Sequence, residues 1–223
     1  MNAVGAGVLY IIGTVAGIFS LIYGGSVLDM PDYLAQVSAD PNQVVIGSLF
    51  ILTMGLALAM VPVVLFPVLK KFNEVLAVGY VIFRGALETC GYFILAIGWI
   101  SITLISQAYV TADTSYFQSL GDLILRTHDQ IGNIMTIVFI LGALMFYSAL
   151  YQSKLVPRWL SSWGLLTAIP YLAAGVLGMF ALVNQMSSTY MFMVIPLALQ
   201  EMVLAIWLIV KGFNPSAFVS ETT

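Results

Sequence analysis

The chain has 223 residues, 61% of them apolar and only 8% charged, with 7 Lys or Arg against 10 Asp or Glu and a formal net charge of −3. A soluble domain of this length surrounds its core with charged residues amounting to about a quarter of the sequence, so that class is excluded. Nucleic-acid binding is excluded too, because there is no basic patch to neutralise several phosphates.

Six apolar stretches dominate the chain. A bilayer core of ~30 Å is crossed by about 20 mostly apolar residues in a helix, and each stretch is long enough. The first is expected at about 7–28; residues 1–6 contain no Lys or Arg, so the basic start of a secretory signal is missing and this run is expected to remain as a helix. The link 29–43 holds Asp29, Asp32 and Asp40 with no base. The second span covers 44–69 with Pro62 and Pro67 inside it, and a tight turn with Lys70, Lys71 and Glu74 leads to the third, 76–107. The link 108–121 carries Asp113 alone. The fourth span, 122–151, is followed by Lys154 and Arg158. The fifth, 159–183, contains Pro170, the link 184–189 is uncharged, and the sixth, 190–211, contains Pro196 and closes on Lys211. Prolines are tolerated in such helices because neighbouring helices re-satisfy the freed backbone groups.

Every Lys or Arg between or after the spans falls on one side of this topology, which predicts both termini and the second and fourth links in the cytoplasm. Trp159, Trp163 and Trp207 lie toward the same side, where indoles favour the headgroup layer. Gly13 with Gly17, and Ala174 with Gly178, are pairs of small residues four apart that let helices approach closely. They are expected to pack within the bundle.

Charge inside a span costs about 2.5–3.5 kcal/mol at the bilayer centre on insertion scales, so each intramembrane charge needs a reason. Arg84 and Glu88 are four apart on the third span and can pair on one helix face. They are either a structural ion pair or part of a ligand or proton site. Glu201, beside Gln200 in the sixth span, has no base near it in sequence, so any partner comes from another helix. A proton-carrying role and a simple hydrogen-bonded carboxyl both stay open. Asp122, Arg126, Asp129, Asn133 and Thr136 recur at spacings of four, three, four and three, one polar stripe on the fourth span. That stripe either packs on polar neighbours or lines a water-filled pocket. His128 points about 100° away from Asp129 and is expected to be a hydrogen-bonded interior residue. Cys90 is expected to pack inside the bundle.

One histidine and one cysteine rule out an intrachain disulfide, a CxxC redox centre and a three-histidine zinc site, and two histidines for a haem are likewise lacking. No GxSxG or GxxxxGK[ST] string signals a nucleophile elbow or a phosphate loop. No cofactor and no metal site are implied, and carboxylate or tyrosine catalysis is left without support.

The strings LILRTHDQIG (123–132), LVPRWLSSWGLL (155–166) and ALQEMVLAIWLIVKGFN (198–214) resemble a family of prokaryotic integral membrane proteins, domain of unknown function 4386. GVLYIIGTVAGIFSLIY (7–23) is similar to that family's opening helix. The resemblance implies a multi-span membrane fold over nearly the whole chain and assigns no activity, cofactor or catalytic residue.

The expectation is an all-α, polytopic bundle of six transmembrane helices, a single membrane-embedded domain over 1–223, in a prokaryotic cytoplasmic membrane. Its function is read as that of a small-molecule or lipid binding, transport-type bundle with a polar interior built from Arg84, Glu88, Asp122, Arg126, His128, Asp129, Asn133, Gln200 and Glu201. One alternative is an accessory or scaffolding subunit packed on a partner membrane protein, which predicts that Gly13 and Gly17 form an unused outward stripe. Another is an intramembrane enzyme, which needs two carboxylates around a trapped water.

Overall fold

The computed structural model describes residues 2–112, 114–185 and 187–219, so Asp113 of the third link lies outside the described residues. Among them all regular structure is helical. The six spans are α1 (Asn2–Leu28), α3 (Asn42–Leu69), α4 (Glu74–Tyr109), α5 (Thr114–Ser153), α6 (Arg158–Met179) and α7 (Ser188–Val210). Two short helices accompany them, α2 (Tyr33–Ala39) between α1 and α3 and α8 (Ser216–Val219) after α7. All six spans are long and apolar enough to cross a membrane, and Pro62, Pro67, Pro170 and Pro196 all lie inside helices.

The spans form a closed ring in chain order. α1 packs on α3, α3 on α4, α4 on α5, α5 on α6, α6 on α7, and α7 returns to α1. Large apolar side chains such as Leu49, Ile97, Leu104, Leu166, Phe192 and Val210 face outward, as a surface immersed in hydrocarbon requires. At one end the second link, the fourth link and the C-terminal segment come together: Asn73 Nδ2 donates to Gln152 Oε1 at 3.2 Å, the Asn214 amide donates to the Leu155 carbonyl at 2.8 Å, and Phe72 meets Phe218 at 5.8 Å. Lys70, Lys71, Lys154, Arg158 and Lys211 all belong to this basic end. Trp159 stacks on Trp163 and meets Trp207 edge-on there.

The ring is filled unevenly. Its basic-end half is a continuous core around Tyr10, Leu65, Tyr80, Phe146, Tyr147 and Leu204. The opposite, acidic end has a second core around Leu34, Val44, Trp99 and Ile102, drawn from α1 to α5 only. α6 and α7 take no part in it.

Three boundaries differ from the sequence reading. The link 29–43 contains α2, because Tyr33, Leu34 and Val37 fall on one helical face and bury themselves in the acidic-end core. α5 begins at Thr114 rather than 122; at 1.5 Å per residue it is roughly 60 Å long, so its first turns project beyond a ~30 Å hydrocarbon layer, where polar residues keep the helix going. α6 stops at Met179 rather than 183, followed by a turn in which Ala181 has a φ of 55°. Cys90 is exposed on the outer face of α4 instead of packed.

The α1–α7 seam is closed at the basic end by Gly7. A Cβ there would lie 2.5 Å from the Ala205 carbonyl oxygen and 2.7 Å from Ile209 Cγ1. Gly7→Ala is therefore expected to cost about 1–3 kcal/mol by overpacking, read as a lower Tm in detergent; an unchanged Tm would mean that the seam is looser than described.

Candidate functional site

The middle of the ring holds a cavity of about 290 Å³ to which every span contributes: Gly13, Thr14 and Gly17 from α1, Met54 and Leu58 from α3, Arg84, Glu88, Tyr92 and Leu95 from α4, Gly132, Met135, Thr136 and Phe139 from α5, Tyr171 from α6, and Ala198 and Glu201 from α7. Its charged wall is built from α4 outward. Residues Val81–Leu87 form a π-helical stretch in which the Glu88 amide bonds the Phe83 carbonyl five residues back. Such widened turns shift the face that a helix presents and recur at functional sites. This one carries Arg84 into the ring, 4% exposed, beside Glu88 at 2%.

Arg84 Nη1 donates to both carboxylate oxygens of Glu88, at 2.9 and 3.0 Å, and Nη2 reaches Glu201 Oε1 at 3.4 Å. The Tyr92 hydroxyl donates to Glu88 Oε1 at 2.8 Å. The guanidinium also lies over the Phe139 ring, 4.5 Å from its centroid, and 5.9 Å from that of Tyr10; a desolvated cation–π contact is worth about 2 kcal/mol. Arg84 Nε is buried without a hydrogen-bond partner among the described residues. Glu201 is the least covered of the three, with 16% of its side chain exposed. One guanidinium thus faces two carboxylates, and with both ionised the group carries one surplus negative charge. Charge pairing across helices is what makes such groups tolerable in hydrocarbon.

Toward the basic end the cavity is sealed. The hydroxyls of Tyr10 and Tyr80 bond at 2.9 Å, Tyr80 stacks on Phe146, and the Tyr147 hydroxyl donates to Gln200 Oε1 at 2.6 Å. Gln200 Nε2 in turn donates to the Leu160 carbonyl at 3.0 Å. Gln200 is thus a fully buried cross-brace joining α5, α6 and α7.

The structure brings together Arg84, Glu88 and Glu201 and separates the rest of the sequence-derived set. The α5 stripe does not line one pocket. Asp122 accepts from the Tyr33 hydroxyl at 2.9 Å and from Gln118 Nε2 at 3.0 Å; burial and this carboxylate hold the Tyr33 phenol well above its ordinary pKa, so it remains a donor. Arg126 and Asp129 are exposed, and Asn133 is buried, accepting from Gln185 Nε2 at 3.0 Å. Only Thr136 reaches the cavity. His128 stacks on Trp99, ring centroids 5.5 Å apart, and its buried Nε2 has no hydrogen-bond partner among the described residues, against the expectation of a hydrogen-bonded interior residue. Gly13 and Gly17 pack on Leu58 and Met54 of α3, so they are not an unused outward stripe. Ala174 is buried and Gly178 lies against Asn133. Among the described residues no three His, Cys, Asp or Glu side chains gather in a metal-sized group.

The family model for Domain of unknown function (DUF4386) matches residues 5–212. The chain belongs to that family. No curated protein and no solved structure matches it. In this DUF4386 chain the matched region spans every cavity-lining residue, so the site belongs to the family domain and not to an addition at either end.

Among the lining residues that sequence reasoning missed are Tyr92, Phe139, Tyr171 and Ala198. Tyr92 continues the Arg84–Glu88 spacing by another four residues and Phe139 continues the α5 stripe by three, a signal hidden because neither is polar enough to stand out. Tyr171 and Ala198 carry no signal in their own segments.

Proposed function

We propose that this protein is a binding bundle of transport type, and that a small molecule or a lipid occupies the central cavity against Arg84, Glu88 and Glu201. One observation carries the reading: the buried ion-paired group forms a wall of a space that all six spans share. A purely structural ion pair gains from dry, close packing around it, since leaving space beside buried charge forfeits contacts without restoring full hydration. We place it in a prokaryotic cytoplasmic membrane, and the concentration of cations at one end supports having that end in the cytoplasm.

An experimental density map of the protein extracted with native lipid should show non-protein density between Glu201 and Phe139. Ala198→Phe, which fills the exposed rim of the cavity and removes no charge, should abolish that density and leave Tm within a few degrees of the parent. A cavity holding nothing but water in the parent overturns the reading.

A further inference from the structure

We propose, resting on the cavity being a ligand site, that its ligand is an amphiphilic ammonium ion that enters sideways from the lipid, with its head on Glu201 and its tail leaving between α1 and α7.

The head follows from valence and charge. Glu88 is already engaged by Arg84 through both oxygens and by the Tyr92 hydroxyl. Among the described residues Glu201 has a single hydrogen bond, at 3.4 Å, shared with a guanidinium committed elsewhere. Its remaining acceptor capacity faces the cavity, and one positive charge there brings the group to neutrality. A protonated amine supplies that charge together with donors for a charge-assisted bond. Tyr92 and Tyr171, also on the cavity wall, offer aromatic surface, which attracts cations and repels anions at its face. A carboxylate ligand could instead use the unpartnered Arg84 Nε, but it would bring the buried charge to −2.

The route follows from where the ring is filled. From the basic end the way is blocked by the fully buried Tyr10, Tyr80 and Tyr147. α1 and α7 are locked there by Gly7 against Ala205. In the acidic-end half they are not: over 188–199 α7 buries only Tyr190 and Leu197, and Ala198 lines the cavity while remaining exposed. The flanking outer surface, Ile18, Leu21 and Ile22 on α1 with Ile195 and Leu199 on α7, is apolar and exposed. A mouth at that depth opens on acyl chains, so the molecule passing through it carries a chain of its own.

The test uses the full protein in phosphatidylcholine nanodiscs, with hexadecylamine, hexadecanol, hexadecanoate and propylamine as probes and bound fraction by native mass spectrometry as readout. Hexadecylamine should be retained at least about tenfold better than hexadecanol, the smallest effect of one hydrogen bond to a charged group. Glu201→Gln, which leaves Arg84 and Glu88 as a neutral pair and so preserves the fold, should erase that preference. Ala198→Phe should exclude every probe. Hexadecanoate binding best, or the amine and the alcohol binding alike, overturns the ammonium head while the cavity remains a ligand site. Propylamine binding as well as hexadecylamine overturns the lateral route. Probes binding equally to the parent and to Ala198→Phe overturn both this inference and the cavity as binding site.

Discussion

Arg84→Met is expected to lower the unfolding free energy by about 3–5 kcal/mol, the penalty for leaving a buried charge uncompensated. Among the described residues the guanidinium is the only cation contacting either intramembrane glutamate, and it is held by two bonds to Glu88, one to Glu201, the face of Phe139 and, more distantly, that of Tyr10. Methionine fills similar volume but leaves two carboxylates facing each other in a low dielectric. The measurement is SDS titration or a thermal scan of the purified protein. The triple variant Arg84→Met, Glu88→Gln, Glu201→Gln removes all charge together and is expected to recover most of the loss, because buried ionic groups replaced as a set by neutral groups of like volume are often neutral in stability. A triple variant as unstable as the single one would assign the loss to the stacking on Phe139 rather than to charge. A single variant as stable as the parent would remove the ion-paired group from the account of what holds the ring.

Run length and the four-residue periodicity made part of this architecture visible in the sequence. Six apolar runs become six spans, and Arg84 and Glu88 pair as their spacing requires. The recruitment of Glu201 was not visible, since it joins Arg84 across 117 residues and depends on α7 closing the ring on α1. Local patterns carry no information about such closure. The α5 stripe shows the complementary limit. Spacing establishes that Asp122, Arg126, Asp129, Asn133 and Thr136 share a face, but their fourteen-residue reach is roughly 20 Å along the helix, long enough for one face to pass from the aqueous rim to the ring interior. Its neighbours change on the way, from Tyr33 to Gln185 to the cavity. α2 escaped notice for a different reason: seven residues are too few for periodicity to show, and its helicity depends on the core that it covers.

Trp99→Ala is expected to cost about 3–5 kcal/mol, as for other large-to-small changes at buried aromatic positions, although Trp99 touches none of the charged residues. Its indole, 5% exposed, sits at a close approach of α1 and α3. A Cβ on Gly47 would lie 2.7 Å from the Gly24 backbone and 2.9 Å from Trp99 Cζ3, and one on Gly24 would collide with the same ring. Gly24 lies in the second π-helical stretch, Leu21–Gly25, so the indole fills a slot shaped by a widened turn and two residues without side chains. Its other side stacks on His128. Truncation to alanine leaves a void that neither glycine can fill, next to a histidine nitrogen that already lacks a partner. Because the acidic-end core draws on α1 to α5 only, the loss should appear as early unfolding of that end, with faster amide exchange in α2 and the first turns of α5 and little change around Tyr147 and Gln200. Trp99→Phe, which keeps a ring in the slot, should recover about half of the loss by retained area. A Trp99→Ala protein within ~1 kcal/mol of the parent, or one whose exchange rises equally at both ends, would mean that the ring has one cooperative core and that α6 and α7 are held at the acidic end as firmly as the other four spans.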